Sequence, residues 1–337
     1  MRDHLVKRNH YNPCFWTALW NPEYYDAFVE GVAGKGRARK QVVYVLNLLS
    51  CKIYQTTVDN VHYDKNLGVA ELTPASMKRF AARWFPDKYR ELAEYVQEHP
   101  ESLFIDFEDI LDAVERVGGY ASLLRAARIG GIASAEHKGF LTVLLVIHAM
   151  RSHEMMSAMV GPSGFAGMDR FEYFWVLKNA WGDPLFLARA CQALAGARWV
   201  LYRTADHRFP LCDSPVMFAR NRLTAILSPR LLLVIHLSKA AREEPWEVTD
   251  RISPRRLQEF RRLAIANTWK EIVFHDPDEL GRWRSLPELR ERSRILGEPE
   301  AARELTATAA ARVLWACDGF GRIGPDFEDW VKPHLGL

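Results

Sequence analysis

The sequence predicts an α+β protein, predominantly helical, with an N-terminal β-hairpin and a small antiparallel sheet in its C-terminal half. Three observations predict it. Two runs rich in β-branched and aromatic residues, Val42–Leu46 and Lys52–Val58, stand a short link apart, the pattern of a hairpin. From about Thr73 to Ser157 the apolar residues recur at helical spacing. Strand-like runs then return at Trp199–Arg203, Leu223–Leu227 and Leu231–Ile235, with Glu271–Phe274 expected as a further strand of the same antiparallel sheet.

Taken in order, the opening Asn9-His10-Tyr11-Asn12-Pro13-Cys14-Phe15-Trp16 sets a histidine and a proline beside aromatics and predicts a short helix packed on the core. A basic, Gly-containing turn, Gly34 to Lys40, adjoins the hairpin. Thr73-Pro74 reads as an N-cap followed by proline in the first helical position. Phe107, Ile110, Leu111, Val114 and Val117 predict a helix that Gly118-Gly119 ends, and another runs to Ile129 before Gly130-Gly131. One long apolar helix is expected from about Ser134 to Val160. The Gly161-Pro162-Ser163-Gly164 segment with Gly167 is the best loop, and 161–167 the one internal boundary in what otherwise reads as a single domain, 1–337. Pro184 to Ala195 and Pro254 to about Thr268 should be helical, the second lying against the sheet, and the tail from Gly319 irregular.

The 337 residues are 48% apolar and 26% charged, enough for a substantial ordered core. A net charge of +3, left by 45 basic against 42 acidic side chains, supplies no global field that would demand a nucleic-acid partner. Local clusters such as Lys35 to Lys40, Arg255-Arg256 and Arg261-Arg262 leave room for nucleic acid or another anionic partner, although such clusters are more often solvated faces. Cysteines 14, 51, 191, 212 and 317 are odd in number and scattered, which fits reduced thiols. The start is polar and the apolar stretch Phe140 to Met150 is too short to span a bilayer, so the expectation is a cytoplasmic protein with no membrane partner.

Several short motifs occur in an order that resembles an uncharacterised bacterial family, domain of unknown function 4238. His10-Tyr11-Asn12-Pro13-Cys14-Phe15 resembles its H-[HY]-x-P-x-[FY] start, and Val58-Asp59-Asn60-Val61 its x-V-x-x-V stretch after a strand pair. Ala149-Met150-Arg151 resembles the end of its middle helix, Cys212-Asp213-Ser214-Pro215-Val216 its [ST]-D-x-P-[VI] strand end, Leu227-Ser228-Pro229 its turn, and Ala266-Asn267 its late asparagine. Two positions depart: Ser152-His153 stand where the family often has Thr-Pro, and Cys212 where it has a hydroxyl. The resemblance implies a fold and a family without implying an activity.

The residues themselves suggest where chemistry could lie. Asp213 follows an apolar run and precedes Pro215, so its carboxylate can orient a histidine, ligate a metal or accept backbone N–H bonds; the competing reading is an Asx turn. His10, among aromatics, is a candidate general base or metal ligand, or a buried histidine bonded to a carbonyl. Together they form the expected catalytic pair. His148, Arg151 and Met155 are spaced to share one helix face, with Arg151 suited to an anionic group and Glu154 its alternative partner. Asn267 reads either as a helix stop or as a substrate-binding amide, and Glu271 as a second carboxylate.

Other matches are set aside. Gly319-Phe320-Gly321-Arg322-Ile323-Gly324 fits G-x-G-x-x-G but Pro325 follows it; Gly31 to Gly36 lacks the hydroxyl of a P-loop; and neither H-E-x-x-H nor G-x-S-x-G is present. Tryptophans 16, 20, 84, 175 and 181 read as packing residues. What remains is a hydrolase acting on a phosphate-containing or nucleic-acid substrate, with His10 and Asp213 catalytic and Arg151 and Asn267 binding. The rival is a non-catalytic binding or regulatory protein, including a toxin or phage-defence component. The sequence identifies no cofactor and leaves metal dependence open.

Overall fold

Two sheets carry the molecule, and the strand that completes one of them comes from far along the chain. The computed structural model describes residues 8–10, 12–33, 35–65, 69–98, 103–106, 118–160, 168–182, 184–206, 209–219, 221–240 and 246–298. The expected helix at 107–117, the boundary at 161–167 and the tail from Gly319 lie outside the described residues.

Strand β1 (Arg8–His10) leads into helix α1 (Cys14–Thr17), a 3-10 turn and α2 (Pro22–Val29). Asn21 caps α2, its side chain accepting the Tyr24 N–H ahead of a first-turn proline. The hairpin appears as β2 (Val42–Asn47) and β3 (Lys52–Thr57), followed by a 3-10 turn at Val58–Asn60 and by β4 (Tyr63–Lys65), which pairs back onto β1. Strands β5 (Val69–Leu72) and β6 (Leu103–Asp106) pair around α3 (Pro74–Trp84) and α4 (Tyr89–Glu98). Thr73 caps α3 with proline behind it, as its sequence foretells.

Helix α5 (Gly119–Ile129) ends at Gly130, whose φ of +65° belongs to the left-handed region; a Cβ there would also meet the Arg203 side chain at 2.8 Å. The expected single helix from Ser134 to Val160 is two: α6 (Ala135–Arg151) and α7 (His153–Met159). Ser152 breaks it. Its backbone turns extended (φ −62°, ψ 150°), its hydroxyl accepts the Met155 N–H at 3.1 Å and donates to the Ala149 carbonyl at 2.7 Å. Met155 therefore belongs to a different helix from His148 and Arg151, and the one-face reading of these three does not hold.

Helices α8 (Arg170–Gly182) and α9 (Pro184–Gly196) lead to β7 (Ala197–Arg203), β8 (Leu211–Cys212), β9 (Val216–Ala219), β10 (Arg222–Ser228), β11 (Leu231–Ala240) and β12 (Glu247–Thr249). The larger sheet has the order β12-β7-β11-β10-β9 and is antiparallel except for the parallel pair β12 and β7. Strand β11 is central, which is why Leu231 to Ile235 reads as an unbroken apolar run, buried throughout. Next come α10 (Pro254–Asn267), capped by Ser253, then β13 (Glu271–Phe274), α11 (Pro277–Arg284) and α12 (Pro287–Gly297).

Strand β13 corrects the expectation of one C-terminal sheet. It joins the N-terminal hairpin, giving the order β3-β2-β13-β8, with Val273 opposite Val45 on one side and Leu211 on the other. All four of its side chains are buried, and burial on both sides selects a central place over an edge. The main core extends from Trp16, Leu19 and Trp20 through both sheets to Trp283 and Leu289, and the Trp20 indole N–H donates to the Phe209 carbonyl at 2.8 Å. A second apolar cluster gathers Phe80, Phe171 and Trp175 edge to face between α3 and α8.

Candidate functional site

Of the polar residues singled out along the sequence, His10, Asp213 and Glu271 converge where short segments meet: His10, residues 12–14, 54–63, 212–214 and 269–271. Backbone pairing brings them there. The β1–β4 pair sets His10 opposite Tyr63, and the β13–β8 pair sets Ile272 opposite Cys212. The result has a buried inner level and a partly exposed outer one.

In the inner level the Asp213 carboxylate accepts three backbone N–H groups, from Trp269 (3.1 and 3.2 Å), Lys270 (2.6 Å) and Glu271 (3.3 Å), while its own N–H donates to the Glu271 carbonyl. Burial pushes this carboxyl up to about 7, and the three N–H donors pull against that shift. Glu271 accepts the His62 backbone N–H on one oxygen (3.0 Å) and the Tyr54 hydroxyl on the other (2.8 Å). Burial first, then the adjacent Glu271 charge, raises the Tyr54 hydroxyl well above its ordinary range.

His62 and Asn12 complete this level. The Asn12 amide donates to the Cys212 carbonyl and to His62 Nδ1, both at 2.9 Å. A carbonyl only accepts, so the amide nitrogen must face Cys212, and His62 Nδ1 is then the unprotonated nitrogen. Its Nε2–H donates to the Glu271 carbonyl at 3.2 Å. Burial lowers this imidazole to about 4, so it is neutral at physiological pH. His62 also sits at φ +52°, a left-handed conformation that costs a non-glycine residue about 1 kcal/mol or more. Asn12 Oδ1 and Ser214 Oγ are buried with no hydrogen-bond partner among the described residues.

The outer level holds His10, Cys14 and Asp59. His10 Nε2 lies 3.2 Å from the Asp59 carbonyl, so that nitrogen carries the proton and Nδ1 keeps its lone pair. Burial lowers the His10 pKa, and the charges of Arg39 and Arg151 lower it further, against the raising effect of Asp59. Burial pushes the Cys14 thiol up to about 11. Arg39 stands 4.0 Å from the Asp59 carboxylate on the solvent side. Arg151, at the end of α6, is buried and its charge also bears on His148, which burial lowers to about 3. His148 contacts the Tyr120 hydroxyl at 3.3 Å and lies edge-on to Trp16.

His10 and Asp213 thus lie in one polar neighbourhood, on different levels, with Asn12 and His62 forming the layer that joins them. Asn267 lies apart: its amide donates to Leu263 within α10 and accepts the Phe218 N–H of β9 at 3.3 Å, tying helix to sheet. Glu271 is linked to Asp213 through backbone, each carboxylate having its own donors. Sequence reasoning missed His62, Tyr54 and the part played by Asn12. The available signal was slight, a histidine between Val61 and Tyr63 with polar residues on either side of that triplet. An open cleft of about 580 Å³, lined by Asp206, Leu257, Arg261, His275, Glu279 and Arg282, contains none of these residues.

Comparison of the chain with family models, with curated proteins and with solved structures finds no match. No helix among the described residues is long and apolar enough to cross a membrane.

Proposed function

We propose that the chain is a hydrolase of phosphate-containing substrates, nucleic acid included, and a member of the family its motifs resemble, with the outer level of the polar centre as its reacting face. The observation that carries the reading is His10: partly exposed, its pKa lowered by burial, its tautomer set by the Asp59 carbonyl so that in the neutral form a lone pair remains on Nδ1. Such a group activates water; the resulting hydroxide adds to phosphorus, the P–O ester bond breaks, and the leaving oxygen takes up a proton. Arg39 and Arg151 supply the positive charge a phosphoryl group requires. Asp213, saturated by backbone donors, is a positioning residue that holds residues 269–271, and through Glu271 the His62 layer, beneath His10.

The rival is a non-catalytic binding or regulatory protein, favoured by the commitment of Asp213 and Asn267 to backbone groups. A panel of phosphomonoesters, phosphodiesters and single-stranded nucleic acid separates the two. In the hydrolase, His10→Gln keeps a donor for the Asp59 carbonyl yet lowers kcat/KM by about a hundredfold or more, with Tm within a few degrees of the parent. Asp213→Ala strands three backbone N–H groups, that of Glu271 fully buried, and lowers stability by about 3–5 kcal/mol. A parent that turns over nothing in the panel, with variants that differ from it in Tm alone, establishes the rival.

A further inference from the structure

We propose that His10, Cys14 and Asp59 bind a divalent transition-metal cation of the zinc class. One ligating atom from each, an imidazole nitrogen, the thiol sulfur and a carboxylate oxygen, lies within 4.8 Å of the others. Tetrahedral zinc with bonds of about 2.0–2.3 Å sets its donors about 3.3–3.8 Å apart, so the widest separation has to close by about 1.0–1.5 Å, within the reach of side-chain rotation. The donor set is mixed nitrogen, sulfur and oxygen, which selects zinc-like cations over magnesium or calcium.

Three further features fit. The Nε2–H bond to the Asp59 carbonyl fixes the His10 tautomer and points its free lone pair away from that carbonyl, the backbone support that metal-bound histidines commonly have. The three ligands stand on separate supports: His10 on the β1–β4 pair, Cys14 at the start of α1, Asp59 in the 3-10 turn Val58–Asn60. Between the first two, Asn12 is clamped to His62 and the Cys212 carbonyl, so the intervening chain is held in place. All three ligands are partly exposed, and Cys14 is a free thiol, so a cation has both a path in and a ligand to take. Arg39 is one counter-charge of Asp59; it is largely exposed and its 4.0 Å contact is weak, so it yields to a cation.

Three protein ligands leave a fourth position for water, the arrangement of catalytic rather than structural zinc. This deepens the hydrolase reading and, for catalysis only, rests on it: the His10 lone pair then activates water through the cation, which lowers the pKa of the water it holds. Cation binding itself stands on the three side chains alone.

Cobalt(II) titration of the chelator-treated full chain tests it, followed by the thiolate-to-cobalt charge-transfer band in the near ultraviolet. One equivalent per chain is expected, displaced by zinc. The band should vanish in Cys14→Ser, persist in Cys51→Ser, and require roughly a hundredfold more cobalt in His10→Gln and Asp59→Asn. On the parent itself, zinc should protect Cys14 from alkylation, a readout that needs no variant to fold. A parent without the band, a band that survives Cys14→Ser, or alkylation of Cys14 indifferent to zinc overturns the site. Phosphoester turnover that is unchanged by chelation but lost in His10→Gln keeps the hydrolase and removes the cation from it; stoichiometric cobalt binding without turnover of any phosphoester keeps the cation site and removes the hydrolase.

Discussion

His148 shows how burial governs a single residue here. Desolvation, the largest cause, and the nearby Arg151 charge lower it to about 3 in the folded chain, against about 6.5 when exposed. A histidine depressed on folding contributes stability that is fully present above pH 6.5 and lost as pH falls toward 3. The slope is about 1.4 kcal/mol per pH unit. Urea melts of the parent and of His148→Gln, which retains a partner for Tyr120, should therefore differ by a constant amount above pH 7. Their difference should shrink by about that slope per unit below pH 6.5; a difference independent of pH between 5 and 7 would rule the assignment out. The same physics made residues unequally legible. Asp213 announced itself through its neighbours in sequence, and its Asx-like bonding to backbone was one of the two readings it allowed. His62 announced little, because its partners Asn12 and Glu271 are 50 and 209 positions away.

Caps decide the elements. Thr73 and Ser253 each stand before a proline and a helical run, and both helices start there. Ser152 carries the same chemistry, but apolar residues continue on both sides of it, so periodicity alone runs one helix through a position where the chain turns. Removing the Ser152 hydroxyl unpairs the Met155 N–H, and Ser152→Ala should lower stability by about 1–2 kcal/mol. Amide exchange should quicken in residues 153–159 ahead of the rest of the chain, and equal protection in both proteins would show that Ser152 does not hold the break. Strand β13 teaches the complementary lesson. Glu271–Phe274 was recognisable as a strand from its residues, but its neighbours were not, since Ile272 and Val273 are equally suited to either sheet.

At the scale of the whole molecule, β13 is the piece on which the architecture turns. It lies between β2 and β8, and the Leu48 N–H bonds the Lys270 carbonyl beside it. An N-terminal fragment cut after residue 167 would leave β2 with an open edge and the core around Trp16 and Trp20 without Phe209, Phe274 and Trp283. Fragments 1–167 and 168–337, expressed separately, should each melt without a cooperative transition and regain one when mixed. A sharp, independent melt of either fragment would show that the chain divides into two units there.

The sequence by itself determined the α+β class, the hairpin, the capped helix starts, the apolar strands of the larger sheet and the motifs that carry His10, Asp213 and Arg151. These are properties of neighbours a few positions apart, where backbone geometry and side-chain periodicity act directly. Only the tertiary structure decided that β13 joins the hairpin, that Asp213 spends its carboxylate on backbone while His10 keeps a free lone pair, and that Cys14 and Asp59 stand beside that imidazole. Those outcomes depend on pairings across some 45 to 230 residues. A β-register or a buried hydrogen bond at that separation is fixed by which surfaces are buried together, and no local pattern along the chain encodes that choice.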